Sequence, residues 1–367
     1  MTEQKSISPL RKRLRRFRRL KRGYYSFLFL IGTYCLTFFL PFLMHNRAIA
    51  VRYQGRYYFP AFKTYLYETF GIGRPTIYSA EVFDQTDVSG RPLLGEADYR
   101  ALKQAFASDA ASSNFAILPP IPYGPNEGFL DLAGTPPHPP SRAHWLGTDD
   151  RARDILVRLT YGYRISVSFA LIVTGISYIV GILLGAILGY YGRWIDLIGL
   201  RLVEIWGAIP FLYTVIILAA IFQPSFKLLV VILAAFGWLS IAYYVRGEFY
   251  REKARDYVTA AIATGENNLT IIVRHILPNA LTPVITFAPF AVVAAVVSLV
   301  SLDFLGFGLP VPTPSWGEML GEAQQNLKVW HLVVCPLGAM FITLQLVVFI
   351  GEAVREAFDP KVFSRLR

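Results

Sequence analysis

Six long apolar runs set the terms on which this 367-residue chain folds: about Tyr24–Leu43, Ile165–Tyr191, Leu202–Phe222, Leu228–Val245, Leu281–Leu302 and Leu332–Gly351. A hydrocarbon layer roughly 30 Å thick is crossed by about 20 helical residues at 1.5 Å each, and every run meets or nears that length. In lipid the backbone must satisfy its own polar groups, and unbroken apolar runs of this length select helix over barrel strands. The expected fold is an all-α polytopic membrane protein with six transmembrane helices. Composition agrees: 54% of the residues are apolar and 17% charged, against about 45–50% and 25% in soluble domains. A soluble multidomain protein is excluded.

The net charge of +11 would ordinarily raise nucleic acid as a partner, but its placement points to a membrane instead. Ten basic residues between Lys5 and Arg22 precede the first run, and the short loops on the opposite side carry only Lys227 and Lys328. This bias predicts a multi-pass membrane protein with both termini in the cytoplasm and no nucleic acid bound. Within segment 1–23, Leu10, Leu14, Phe17 and Leu20 recur at helical spacing among arginines. That pattern predicts a basic amphipathic helix on the anionic inner leaflet of the bilayer. Ala48-Ile49-Ala50 mimics a signal-peptidase site, but the run before it is longer than a signal core and Arg47 intrudes. Residues 24–43 are therefore read as an uncleaved first span.

Segment 44–164 is of another kind. Tyr53, Tyr57, Tyr58, Phe59, Phe62, Tyr65, Tyr67 and Phe70 offer a small aromatic core, and Ile117–Pro140 contains eight prolines that read as a stiff strap. A small extracytoplasmic insert between the first two helices is expected. Cys35 and Cys335 sit in apolar runs and form neither a disulfide framework nor a CxxC pair.

Catalytic chemistry is missing. The five histidines form no HExxH, and no GxSxG and no GxxxxGK[ST] phosphate loop occurs. No catalytic residue and no metal site are expected, and the chain does not hydrolyse ATP. Two intramembrane features remain. Gly181, Gly185 and Gly189 form a small-residue stripe for close helix packing. Arg201 and Glu204, three residues apart, fall on one helix face as a candidate membrane ion pair.

Between the fourth and fifth runs, Arg246–Ala280 is too polar for lipid yet helix-prone. The sequence predicts a helix over Glu252–Thr264, a stop at Gly265, and a second helix from Leu269 to Ile276 that Pro278 interrupts. On these residues alone, a docking knob for another subunit and a plain cytoplasmic loop both stay open.

Thr259-Ala260-Ala261-Ile262-Ala263-Thr264-Gly265, with His275-Ile276-Leu277-Pro278 beyond it, resembles the EAA loop of permease subunits in bacterial binding-protein-dependent ABC importers. Three further stretches are similar to the dipeptide and oligopeptide branch: Leu146–Asp149 with Arg153-Asp154; Phe304–Gly306 with Pro312–Gly317; and Arg355 with Asp359-Pro360. Asp196, Arg201 and Pro210 also fall where that branch places an Asp, an Arg and a Pro. The outside segment resembles the Yej-type permeases of microcin C and oligopeptide import through Tyr57–Pro60, the Phe70-Gly71 turn, Leu118–Gly124 and His144–Asp149. The chain departs from the pattern at Thr259, where the EAA glutamate stands, at His275, and at Ala152, where the branch has glycine.

The resemblance implies a type I importer permease (MetI-like) core over 165–352, a coupling loop at 246–280 and a cytoplasmic tail at 353–367. It implies a heterodimer with a second permease, ATP-binding subunits below that use ATP and Mg, and a periplasmic peptide-binding protein above. No cofactor is bound by this chain. Thr259, Ala260, Ala261, Gly265, Ile276, Leu277 and Pro278 would couple to the ATPase. Pro314, Ser315, Trp316 and Gly317 are candidates for periplasmic docking, with Trp316 alternatively an interfacial anchor. The cargo would be peptides. The rival readings are a nickel or other small-solute importer permease of the same branch, a non-transport membrane scaffold, and a membrane enzyme.

Overall fold

A computed structural model describes residues 9–70, 78–86, 90–108 and 113–358. The Asp359-Pro360 motif, the glycine of the Phe70-Gly71 turn and the tail beyond Phe358 lie outside the described residues. In chain order the elements are α1 (Pro9–Arg19), α2 (Lys21–Thr37), α3 (Leu40–Leu43), β1 (Ala50–Tyr53), β2 (Arg56–Tyr58), α4 (Pro60–Phe70), α5 (Tyr99–Ser108) and β3 (Phe115–Ile117). There follow α6 (Ile155–Tyr191), α7 (Arg193–Gly207), α8 (Phe211–Ile221), α9 (Phe226–Lys253), α10 (Asp256–Ala263), α11 (Asn268–Thr270), a π-helical turn (Ile271–Ile276), α12 (Leu277–Phe304), α13 (Trp316–Gln325) and α14 (Trp330–Phe358).

Among the described residues four helices are long and apolar enough to cross a membrane: α6, α9, the Val284–Phe304 part of α12, and α14. A fifth span results if α7 and α8, bent by 67°, are counted as one. Two of the six apolar runs thus do not form single straight helices, and proline explains both departures. Pro210 has no N–H to donate and its ring would strike the carbonyl of Trp206, so the expected Leu202–Phe222 helix breaks there. Pro41 has the same effect on Thr37, and α2 ends at Thr37 after 17 residues.

The chain divides into two compact units. The first comprises Met1–Ile31, Ser166–Val311 and Gly338–Arg367. Here α6 packs on α9 through the glycine stripe: a Cβ at Gly181 would lie 2.8 Å from Ile241 Cβ, at Gly185 2.6 Å from the Ala242 carbonyl oxygen, and at Gly189 2.5 Å from Phe249 Cβ. Only glycine permits that approach. The basic helix α1 buries Phe17 against Ala353 and Ala357 of α14, with Arg13 over the Phe358 ring.

The second unit comprises Gly32–Ile165 and Pro312–Leu337. Its edge at Ile165 lies one residue from the expected boundary at 164, and the segment Pro312–Leu337, expected in the 165–352 core, clusters with this unit. An all-α description is corrected too: β1 lies between β2 and β3, antiparallel to both, with Val51 opposite Tyr58 and Ala116. Its core gathers Val51, Phe83, Tyr99 and Leu102, flanked by Tyr53 and Tyr58. Of the aromatic set expected there, Tyr57, Phe59, Phe62 and Tyr67 are exposed. They cluster in sequence without the period that would bring one face inward.

Candidate functional site

The long helix α9 runs on to Lys253, so Glu252 and Lys253 close the fourth apolar helix instead of opening the elbow. After a break at Ala254-Arg255, α10 covers Asp256–Ala263 and ends on Gly265 at φ +79. The Glu266 amide donates to the Ala261 carbonyl and the Gly265 amide to that of Ile262, both at 3.1 Å. This pair of bonds is a Schellman stop, whose left-handed position glycine occupies without strain. A Cβ on Gly265 would meet nothing within this chain, so the requirement here is conformational.

The return path holds a correction. Pro278 does not interrupt a helix; it sits in the first turn of α12, where its missing N–H is not needed. The preceding turn widens to π geometry over Ile271–Ile276, which relieves the clash between the proline ring and the Arg274 carbonyl. Asn267 caps α11 by accepting the Thr270 amide at 2.8 Å.

Side chains then lock the elbow. Tyr257 Oη donates to Glu252 Oε2 at 2.8 Å and accepts from Asn279 Nδ2 at 3.2 Å. Desolvation, and next the bond to Glu252, raise the Tyr257 hydroxyl above the usual tyrosine range. His275 Nε2 lies 2.8 Å from Glu266 Oε2, and Tyr190 Oη donates to Asn268 Oδ1 at 2.7 Å. Beneath these, Val258, Ala261, Ile271 and Ile276 pack with Tyr190, Val245 and Phe249.

The elbow therefore has two faces. Ala261 and Ile276 point inward and are removed as contact candidates, because packing on α6 and α9 occupies them. Thr259, Ala260, Gly265 and Pro278 are exposed, and Leu277 is partly so. Three large apolar side chains share the outside: Ile262 (51% exposed), Leu269 (71%) and Val273 (52%). Leu269 and Val273 escaped the sequence reading, although apolar residues four apart in a polar segment were the available signal.

Near the elbow, Asp196 accepts from Arg246 Nε, from Arg246 Nη2 at 2.5 Å and from Tyr250 Oη at 2.8 Å. Arg201 instead meets Glu204 at 2.6 Å, both side chains exposed.

In the second unit the Leu146–Asp149, Arg153-Asp154 and Pro312–Gly317 motifs lie at or beside a buried ionic cluster. Arg153 Nε donates to Asp149 Oδ2 at 2.6 Å and its Nη2 to Glu322 Oε1 at 2.5 Å. Arg158, fully buried, donates from Nη2 to Glu318 Oε2 at 2.6 Å. Burial opposes the Arg153 charge, but Asp149, Glu322 and Glu318 outweigh it and raise its pKa. The Glu322 carboxyl is pushed up to about 7 by burial, with the Asp149 charge adding to the effect. Asp149, Asp150 and Glu322 stand close enough to hold a cation, but the two arginines already supply the counter-charge.

Pro314, Ser315, Trp316 and Gly317 are all buried. Trp316 donates from Nε1 to the Leu159 carbonyl at 3.1 Å and lies against Gly162, where a Cβ would be 3.0 Å from its ring. Ser315 caps α13 through the Glu318 amide. Neither outward docking nor interfacial anchoring describes these four residues; they bind α13 to the start of α6.

Comparison with known proteins matches residues 181–364 to the family described as binding-protein-dependent transport system inner membrane component. The inner membrane ABC transporter permease protein YejE of Escherichia coli K12 is 39% identical over 96% of this chain and 98% of its own length. The peptidoglycan transport system permease protein YejE of Agrobacterium fabrum is 37% identical over 97% and 94%. The oligopeptide transport system permease protein OppC of Haemophilus influenzae is 37% identical over 59% and 70%. With the elbow, the glycine-packed helices and a relative similar along nearly the whole length, this chain belongs to the inner-membrane permease components of binding-protein-dependent ABC transport systems.

Proposed function

We propose that this chain is one of two permease subunits of an ATP-driven importer of peptides, oligopeptides and microcin C-like conjugates among them. The observation that carries the coupling reading is the two-faced elbow: its inner side is fixed to α6 and α9, while Ile262, Leu269 and Val273 stand exposed. Exposed apolar side chains on a rigid turn fit a cleft in a partner, here an ATP-binding subunit that uses ATP and Mg. A cleft that moves on nucleotide binding would drag a rigid lever, and with it the helices it is packed on. Peptide cargo is supported by the name of the similar oligopeptide permease OppC, and the peptidoglycan permease name is compatible with a peptide-bearing cargo.

In this reading α2 with α3 forms the first of six spans, the termini and elbow face the cytoplasm, and the β-containing unit faces the periplasm. The charge bias of the short loops supports that orientation. A second, homologous permease completes the pathway and a periplasmic peptide-binding protein delivers cargo. The test is proteoliposomes holding both permeases and the ATPase, supplied with the binding protein, and a crosslink from a cysteine at Leu269. ATP-dependent peptide uptake and a crosslink to the ATPase are expected. An elbow that reaches no ATPase subunit at any stage of the cycle would refute the coupling role.

A further inference from the structure

Within the first unit, α6, α8, α9 and α12 border a half-open cavity of about 430 Å³. Most of its wall is apolar, with Phe211, Phe236, Phe287 and Phe290 contributing rings. Three hydroxyls on α6 also line it, from Thr174, Ser177 and Tyr178, and none has a hydrogen-bond partner. Their spacing places them on one helix face.

A helical Ser or Thr hydroxyl can bond back to the preceding turn, as Ser26 does to the Arg22 carbonyl at 2.8 Å and Thr160 to that of Leu156 at 2.8 Å. The α6 trio does not. Ser177 is 4% exposed, and a buried hydroxyl without a partner is unfavourable in apolar surroundings. Across from it stands Gly237, where a Cβ would come 2.5 Å from Ser177 Oγ. Glycine keeps the space before that hydroxyl open.

The described lining carries no Asp, Glu, Lys, Arg or His. Its complement is therefore neutral, with donors and acceptors for the hydroxyls and apolar surface for the rings. A lipid tail offers no polar partner. A peptide offers an amide N–H and C=O at every residue whatever its sequence, and a cavity in the range that holds small ligands takes one short stretch at a time.

We propose that this cavity binds the uncharged backbone of a peptide in transit, with Thr174, Ser177 and Tyr178 pairing to its amides and the phenylalanines holding one apolar side chain. The inference rests on the peptide-import reading above. It also implies a mechanism of tolerance: groups common to all peptides are recognised, while charged side chains stay outside the cavity.

The test uses the complete reconstituted transporter with its binding protein, and two probes: radiolabelled Ala-Phe-Phe-Ala and the same peptide N-methylated at its central amides. Wild type is expected to import the methylated form about tenfold less efficiently, the loss that follows from one or two missing hydrogen bonds. The Thr174→Val/Ser177→Ala double variant is expected to shrink that gap below about threefold. Tyr178→Phe, a milder change, shrinks it in part and serves if the double variant does not insert. A gap that persists in the variants, or one absent from wild type, overturns the inference alone. No ATP-dependent uptake of either peptide by wild type refutes the peptide-import reading and the inference with it.

Discussion

The elbow between α9 and α12 and the ionic cluster around Arg153 both carry motifs legible in the bare chain, yet they use them in opposite senses. In the elbow the motif residues divide between inside and outside: Ala261 and Ile276 pack inward, while Thr259 and Ala260 face out. In the cluster nearly everything faces in. Asp149, Arg153, Asp154 and Arg158 are buried, as is the Pro314–Gly317 stretch. The elbow is held by apolar packing and a helix stop, which leave a surface free for a partner. The cluster is held by charges that satisfy one another, and its motif is consumed by folding. A string of special residues shows that a site is constrained; the direction of its side chains shows by what.

The largest effect should come from breaking the cluster. Arg158→Ala leaves the largely buried Glu318 without its close donor, and loss of one partner of a buried pair costs about 3–5 kcal/mol. A large drop in the unfolding temperature of purified protein is expected, whereas a small drop would make the cluster a surface feature after all. The corresponding break on the other side is Gly189→Leu. Its Cβ already falls 2.5 Å from Phe249, so overpacking by about 1–3 kcal/mol separates α6 from α9 and loosens the elbow's base. Import should fall together with thermal stability.

Acid sharpens the contrast. The folded-state carboxyl of Glu322 lies at about 7, above the ordinary glutamate value of 4.5. The folded state therefore holds a proton that the unfolded chain releases. Its stabilising contribution is fully present below pH 4.5 and is lost as the pH rises towards 7. Glu322→Gln should flatten stability across that window when melting is followed against pH. A variant as pH-sensitive as wild type would mean that another group titrates.

Gly265 tests whether the elbow's outer face is needed by a partner. A Cβ there meets nothing in the chain, so Gly265→Asn, which tolerates left-handed φ, should leave stability within about 1 kcal/mol. Gly265→Val adds about 1–2 kcal/mol of backbone strain. If the elbow seats in an ATPase, Val abolishes import while the protein still reaches the membrane. Full import by Gly265→Val would return this segment to a plain loop.

How much of this was legible follows from what each signal depends on. Apolar length and the Lys/Arg bias are local properties, so the long helices were foreseeable, as were the glycine stripe and the Gly265 stop. The breaks at Pro41 and Pro210 were legible in principle, because proline's missing N–H is also local. Partner choice was not. That Asp196 pairs with Arg246 rather than Arg201, or that Glu318 and Glu322 meet Arg158 and Arg153, depends on residues 50 to 169 positions apart. No periodic pattern encodes such a meeting. The small sheet was missed for a related reason: three- and four-residue strands carry too little alternation to stand out among scattered aromatics.

The smallest expected effect concerns Ala152, where this chain departs from the glycine of its branch. The residue is fully buried at φ +57, a left-handed backbone that costs a residue with a Cβ about 1–2 kcal/mol. Its amide donates to the Asp149 carbonyl at 3.0 Å, while the Phe129 amide donates to the Ala152 carbonyl at 2.9 Å. The turn thus holds Asp149 and Arg153 in bonding register. Those bonds do not need the methyl group, so Ala152→Gly should keep the turn and relieve the strain, offset by the greater freedom of glycine in the unfolded chain. The net expectation is a gain of up to about 1 kcal/mol, read as a rise of a few degrees in melting temperature with import unchanged. A loss instead would show that the methyl packs in the cluster's wall, and that burial there outweighs backbone strain.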